Sequence, residues 1–97
     1  MSASCVSPTG LQTITIRSTP GLQLAFATTW PDRKPHQEWG ASATTVIPPG
    51  GTYTQSWTVP PNAPTGTATT DITVAGRADG RDQYAMAHPT WRIATTC

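Results

Sequence analysis

The chain has 97 residues and a formal net charge of +1, and 11% of its residues are charged, whereas an average soluble domain has roughly 25%. This length is that of one domain, and no linker or repeat divides it, so we expect residues 1–97 to form a single unit. The six lysines and arginines are scattered, and no apolar run approaches the roughly 20 residues of a bilayer span. Both features argue against nucleic acid as a partner and against membrane insertion by this segment.

Short segments in which apolar and polar residues alternate predict β-strands along the whole chain. The first, Leu11 to Arg17, places Ile14 and Ile16 on one face. The second, Leu22 to Thr29, follows a break at Pro20-Gly21. After an irregular polar segment at 30–40, the remaining predicted strands are 43–47, 53–59, 66–75, 84–88 and 90–95.

The segment Thr52 to Val59 gives the strongest strand signal. Its odd positions from Tyr53 carry Tyr, Gln, Trp and Val, and its even positions carry Thr or Ser. Only a strand with one buried face turns this period of two into structure. The alternation predicts that Trp57 lies in the core, together with Trp91, which shares its face with Ile93.

Two later features concern turns. Residues 76–82 predict a polar turn, and an Asp79-Gly80 connection between strands explains its carboxylates without a calcium ion. Pro89 interrupts the last extended stretch, and because proline cannot donate to a strand ladder we expect a bulge or a change of sheet there. Seven or so short strands without helical periodicity predict an all-β fold, an antiparallel β-sandwich of about seven strands.

The two cysteines, Cys5 and Cys97, stand near opposite ends of the chain. They are too far apart for a redox CxxC motif and too few for a zinc site, so we predict one disulfide that ties the first strand to the last. Such a bond persists in an oxidising compartment, which predicts an extracytoplasmic location, extracellular or at the cell surface. The alternative is a pair of free, buried thiols.

Two stretches resemble a known type of module. The first is SPTGLQTITIRSTPGLQLAF, and the second is GGTYTQSWTVPPNAPTGTATTDITV, in which Trp57-Thr58-Val59-Pro60 precedes Ala63-Pro64-Thr65-Gly66 and an alternating strand. They resemble the immunoglobulin-like modules in the extracytoplasmic parts of bacterial surface and membrane-anchored proteins. The resemblance implies an immunoglobulin-like β-sandwich that serves, without catalysis, as spacer, adhesion surface or ligand platform. The cysteine pair that brackets a core tryptophan in antibody domains is absent.

Candidate ligand-binding residues lie in the polar segment 30–40. They are Trp30, Arg33, His36, Glu38 and Trp39. His36 and Glu38, with Asp32 upstream and His88 distant, come nearest to a metal or acid/base cluster. His36 and Glu38 could share one side of an extended segment, but a metal site needs three or four converging ligands, so we predict a solvated loop without a metal. Exposed rings of Trp30 and Trp39 would suit stacking on a sugar. Alternatively, both rings fold back as a lid on the open end of the sandwich. We expect this for at least one of them, since exposing large rings without a partner is disfavoured.

No serine elbow or triad spacing supports hydrolysis. We therefore expect a monomeric module without enzymatic activity or a cofactor, acting as a spacer or as a macromolecule-binding platform through the segment 30–40. Its expected partners are a neighbouring domain of the same chain, or a protein or glycan. The alternative is a carbohydrate-binding module that uses Trp30 and Trp39, and the solvent exposure of these two rings distinguishes the hypotheses.

Overall fold

The computed structural model describes all 97 residues, which form eight strands and one short 3₁₀ turn at Gln37–Trp39. Seven of the strands match segments whose alternation predicts a strand, with boundaries that differ by at most three residues. Only β1 lacks a sequence signal, because two residues are too few to show a period. The strands are β1 (Cys5–Val6), β2 (Leu11–Arg17), β3 (Gln23–Thr29), β4 (Ser42–Val46), β5 (Thr52–Thr58), β6 (Gly66–Ala78), β7 (Arg81–Ala87) and β8 (Thr90–Ile93).

The larger sheet has the order β1-β8-β6-β3-β4, and β7 also pairs with β6. All of its pairs are antiparallel except β1–β8, in which Cys5 lies opposite Arg92 and Val6 opposite Ile93 in a parallel register. The prediction of an all-β fold with two sheets is confirmed. The prediction of an antiparallel sandwich of about seven strands holds except at this edge, where an eighth strand of two residues pairs in parallel and makes the sheet mixed.

Strands β2 and β5 form the second sheet and pair along their full length, from Leu11 opposite Thr58 to Arg17 opposite Thr52. The N-terminal segment lies along the start of the other edge of β2. There the N–H of Ser2 donates to the carbonyl of Thr13 at 3.0 Å. The buried side-chain amide of Gln12 exchanges two hydrogen bonds with the backbone of Ala3, at 2.8 and 3.2 Å. The side-chain amide of Gln12 thus makes with Ala3 the two hydrogen bonds that backbone groups usually exchange between neighbouring strands.

The core lies between the two sheets and is built from the inward rows of their strands. Trp57 of β5 lies 6.4 Å from Phe26 and 6.1 Å from Trp91, measured between ring centroids. Trp57 and Trp91 are both buried, as the alternation predicts, and so are Ile14 and Leu24. Burying apolar area of this kind is the main favourable contribution to the stability of a small domain.

One polar cluster is buried within this core. The hydroxyls of Thr28 in β3 and Thr70 in β6 lie 2.8 Å apart, and the indole N–H of Trp91 donates to Thr70 Oγ1 at 3.2 Å. The indole nitrogens of Trp30 and Trp57, in contrast, are buried without a partner. The alternation of apolar and polar residues places Thr28 and Thr70 on the inward faces of their strands. The hydrogen bond between their hydroxyls offsets the cost of burying these two polar groups.

The end of the β6–β7 hairpin extends past the last β3 residue that pairs with β6. Strand β3 pairs with β6 only as far as Gln23 opposite Ala75, so residues 76–78 of β6 pair with β7 alone. Asp79 and Gly80 connect the two strands with φ angles of 53° and 73°, and a two-residue type I′ turn requires positive φ at both positions. The predicted turn at 76–82 is therefore shorter than expected, and the Asp-Gly connection within it is confirmed.

Strands β7 and β8 lie end to end along one edge of β6. Ile72 faces Ala87 and Thr69 faces Thr90, so two residues lie between these pairs on each strand and none is inserted. The expected bulge or change of sheet at Pro89 is therefore wrong. Its carbonyl still accepts the N–H of Thr70 at 2.9 Å, so the proline removes one donor from the ladder without displacing the strand.

The predicted disulfide between Cys5 and Cys97 is confirmed, with a Cα–Cα distance of 5.7 Å across a sequence separation of 92 residues. It joins β1 to the segment after β8, so it ties the first strand of the fold to the last. No free cysteine remains.

Candidate functional site

The loop 30–40 connects β3 to β4 and contains all five candidate ligand-binding residues. It leaves the sandwich beside the start of β6, where a Cβ added to Gly66 would lie 3.0 Å from Pro31. Gly66 pairs with Ile93 of β8, next to the β1–β8 pairing that carries Cys5. The loop and the disulfide therefore share one end of the sandwich, and the β6–β7 hairpin projects from the other.

Trp30 anchors the start of the loop in the core. Its side chain is 1% exposed, and its ring makes edge contacts with Trp91 and Trp39 at centroid distances of 5.7 and 4.7 Å. Among the five candidates, Trp30 is the one that the structure keeps away from solvent. It has no free ring face on which a ligand could stack, and it caps the end of the sandwich as the lid alternative describes.

Trp39 is partly buried and packs against the same core. The imidazole of His36 stacks on it, with ring centroids 3.8 Å apart and an angle of 10° between the planes. Trp39 also contacts Trp30 in a T-shaped arrangement, with an angle of 86° between the ring planes. His36 therefore covers one face of Trp39 from within the loop, which removes one of the two faces on which a ligand could stack.

Two carboxylates hold the imidazole in this position. His36 Nε2 lies 2.5 Å from Asp32 Oδ2, and His36 Nδ1 lies 3.3 Å from Glu38 Oε1. The hydrogen bond to Asp32 is the main cause that raises the pKa of His36 above 6.5. The same hydrogen bond lowers the pKa of Asp32 below 3.8. The contact between this imidazole and the Asp32 carboxylate thus favours the charged form of both His36 and Asp32.

The backbone of the loop is as constrained as its side chains. Arg33 and His36 have φ angles of 66° and 39°, a region that residues other than glycine rarely occupy. Two backbone hydrogen bonds close the turn. The N–H of Arg33 donates to the carbonyl of Trp30 at 2.8 Å, and the N–H of Trp30 donates to the carbonyl of Lys34 at 3.0 Å. The N–H of Lys34 donates to Asp32 Oδ1 at 3.0 Å. Asp32 thus joins the turn to the imidazole.

The structure brings four of the candidates together. His36, Glu38 and Trp39 are in contact around the imidazole, and Trp30 lies beneath Trp39. Arg33 is exposed, like Lys34 and Glu38, and makes no side-chain hydrogen bond or ion pair. Sequence reasoning left Asp32 out of the candidate set. The only sequence signal for Asp32 is its position four residues before His36. The left-handed backbone at Arg33 and His36 brings the two side chains within hydrogen-bond distance.

The second histidine lies apart from this cluster. His88 Nδ1 is 2.7 Å from Asp71 Oδ1 on the outer face of the larger sheet. No group of three or more His, Cys, Asp or Glu side chains is arranged to hold a metal ion. No helix of the chain combines the length and the apolar character that crossing a membrane requires.

Comparison of the chain with protein-family models finds no match. The same comparison with curated proteins and with solved structures finds none either.

Proposed function

We propose that the chain is a non-catalytic, immunoglobulin-like module of a bacterial extracytoplasmic protein, and that it binds another macromolecule through the loop 30–40. The observation that carries the proposal is the construction of this loop. Its exposed cationic side chains, Arg33 and Lys34, stand on a frame fixed by Trp30 in the core and by the stacked His36–Trp39 pair. A surface ordered before binding loses little conformational entropy when a partner docks.

The strand order supports an immunoglobulin-like relationship. In such a sandwich, strands G, F and C form one sheet, strands B and E lie in the other, and variable-type domains add C′ beside C. Here β8 with β7, then β6, β3 and β4 follow one another in the larger sheet, and β2 pairs with β5 in the smaller. In this order β2 and β5 correspond to strands B and E, and β3, β4 and β6 correspond to C, C′ and F. Strands β7 and β8 together correspond to G.

The state of His36 supports a role without catalysis. A histidine that acts as general base needs a ring nitrogen free to reach a substrate proton. Both nitrogens of His36 lie within hydrogen-bond distance of carboxylates in its own loop, and its ring covers Trp39. The side chain is thus engaged in holding the loop.

The position of the loop suits a binding platform. The loop lies at the end of the sandwich that carries the Cys5–Cys97 disulfide, away from the β6–β7 hairpin at the other end. A neighbouring domain of the same chain or a separate protein is the partner that this position suits best. The disulfide is compatible with the extracytoplasmic location that the proposal assumes.

The carbohydrate-binding alternative has less support. It requires exposed rings that stack on a sugar, but Trp30 is buried and one face of Trp39 is covered by His36. No observation on the loop favours a glycan over a protein.

The proposal is tested by panning a random-peptide phage library on the immobilised protein. We expect the recovered clones to bind the native chain and to lose binding to an Arg33→Ala/Lys34→Ala variant. The matched control, Arg77→Ala/Arg81→Ala, removes the same number of exposed cations from the β6–β7 hairpin and is expected to bind normally. Clones that bind both variants equally would contradict the proposed surface. Binding on a glycan array that is lost in Trp39→Ala would favour the carbohydrate alternative instead.

A further inference from the structure

Strand β7 forms an edge of the larger sheet that no other part of the chain covers. From Arg81 to Ala87 it pairs only with β6. Tyr84 and Met86 on it are 68% and 54% exposed. The run from Tyr84 to Ala87 carries neither a charge nor a proline, and edge strands of soluble proteins usually carry one of these to prevent pairing with another chain.

The backbone of this edge presents a regular row of donors and acceptors. The carbonyl of Pro89 accepts the N–H of Thr70 in β6, so the odd-numbered residues of this line turn their N–H and C=O groups toward β6. Because successive residues of a strand alternate, the even-numbered residues turn theirs outward. These residues are Asp82, Tyr84, Met86 and His88.

We propose that this edge pairs with β7 of a second copy of the chain, antiparallel about a twofold axis at Ala85. Such an isologous contact closes with two copies. The register places Tyr84 opposite the partner's Met86, and Asp82 opposite the partner's His88. All of these residues turn their backbone groups outward, so each facing pair exchanges two hydrogen bonds.

Charge complementarity on the outer face of the sheet selects this register. Within one copy, Arg77 and Asp82 are paired at 3.3 Å, and His88 and Asp71 at 2.7 Å. The proposed pairing sets Asp82 beside the partner's His88, so basic and acidic groups alternate across four strands. With Tyr84 on the axis instead, Asp82 would face the partner's Met86 and the alternation would be lost. An imidazole that faces a carboxylate can donate a hydrogen bond to it across the two strands, and the facing Tyr and Met side chains cover each other.

The inner face accommodates the added strand. Ala85 lies opposite the partner's Ala85, and Gln83 lies opposite the partner's Ala87, so no large side chain obstructs the contact. The flank between β7 and β2 is an open groove lined by Ile16, Ile72, Val74, Ala85 and Ala87, among others. A strand added to β7 would cover this apolar groove. The proposal replaces the sequence-based expectation of a monomer.

The register is tested by single cysteines at two exposed alanines of β7. In a non-hydrogen-bonded antiparallel pair the Cα atoms are about 4.5 Å apart, which a disulfide can bridge. Mild oxidation of Ala85→Cys is expected to give a covalent dimer at least about tenfold faster than that of Ala87→Cys, whose counterpart lies roughly 13 Å away along the strand. Equal rates for the two variants would overturn the proposal.

Association is tested by analytical ultracentrifugation of the native chain up to about 1 mM, a range that covers weak dimers. We expect a dimer whose fraction rises with concentration, and a dissociation constant at least about tenfold higher for Met86→Pro. The N–H of Met86 points away from β6, so this proline removes only the contact to the partner. An unchanged melting temperature, measured in dilute solution, checks its fold. A monomeric mass at every concentration, or a dimer that Met86→Pro does not weaken, would overturn the proposal.

Discussion

His36 holds the loop 30–40 through three side-chain contacts made from a strained backbone position. Its φ of 39° lies in the left-handed region, which costs a residue with a Cβ on the order of 1 kcal/mol or more. The stack on Trp39 and the hydrogen bonds to Asp32 and Glu38 oppose that cost. The side chain is therefore retained where a glycine would fit the backbone more easily.

The titration of His36 should report these contacts. Its pKa is raised above 6.5 chiefly by the hydrogen bond to Asp32, and only to a smaller extent by the one to Glu38. We expect an NMR titration of the imidazole protons to give a midpoint above 6.5, which Asp32→Asn lowers clearly and Glu38→Gln lowers less. A midpoint that Asp32→Asn leaves in place would contradict the contact.

The sign of the pH dependence follows from the two shifts. A histidine with a raised pKa stabilises the folded loop fully below 6.5, and this contribution is lost as the pH rises through the raised pKa. An aspartate with a lowered pKa contributes above 3.8, and its contribution is lost as the pH falls through the lowered pKa. The contact between His36 and Asp32 thus stabilises the loop most between pH 3.8 and 6.5. Starting from neutral pH, raising the pH weakens this contact, whereas lowering the pH weakens it only below 3.8.

At the same scale, the sequence predicted which tryptophans lie on inward strand positions but left open the two in the loop. Trp57 and Trp91 belong to alternating strands, where one register decides the face of every residue. Trp30 and Trp39 lie outside any period, so only the turn at Arg33 and His36 decides that one ring is buried and the other partly covered. No local pattern encodes that turn, because neither residue type prefers a left-handed conformation strongly.

Among the elements, the β6–β7 hairpin depends most on a single local conformation. Gly80 has a φ of 73° at a position where an added Cβ would meet nothing within 4 Å. We therefore expect Gly80→Ala to lower the free energy of unfolding by about 1 kcal/mol through backbone strain alone. Gly50→Ala is the matched control, since Gly50 has the same open surroundings without a positive φ, and it should change stability by less than about 0.5 kcal/mol. Urea denaturation of both variants measures the difference. Equal effects would mean that the hairpin tolerates another turn.

The elements themselves were largely predictable from the period of two. It identified seven of the eight strands and the inward face of β6, where Ala68, Thr70 and Val74 are buried. What it missed are features set by partners far along the chain. The extension of β6 to Ala78 and the straight passage through Pro89 both depend on pairing with β7 and β8, and such pairing leaves no mark on the local alternation. The same holds for the parallel contact of β1 with β8.

Across the whole molecule, the two sheets are unequal. The larger contains six strands and the smaller only β2 and β5, so one flank is open between β2 and β7 and is only partly covered by the N-terminal segment. A sandwich with so small a second layer buries less apolar surface than one with two full sheets, and apolar burial scales with stability. A covalent constraint on the unfolded chain therefore has more to contribute here than in a larger domain.

The disulfide should supply a large share of the stability for this reason. It closes almost the entire chain, since Cys5 and Cys97 are 92 positions apart in the sequence, and in the chain-entropy account a loop of that length is worth about 4 to 5 kcal/mol. A small domain has only about 5 to 15 kcal/mol in total. We expect Cys5→Ser/Cys97→Ser to lower the urea midpoint strongly, and reduction of the native chain to lower it by the same amount. The double variant itself should not respond to the reductant. An unchanged midpoint in the variant would mean that packing between the unequal sheets suffices, and that the cross-link only fixes where the two ends of the fold meet.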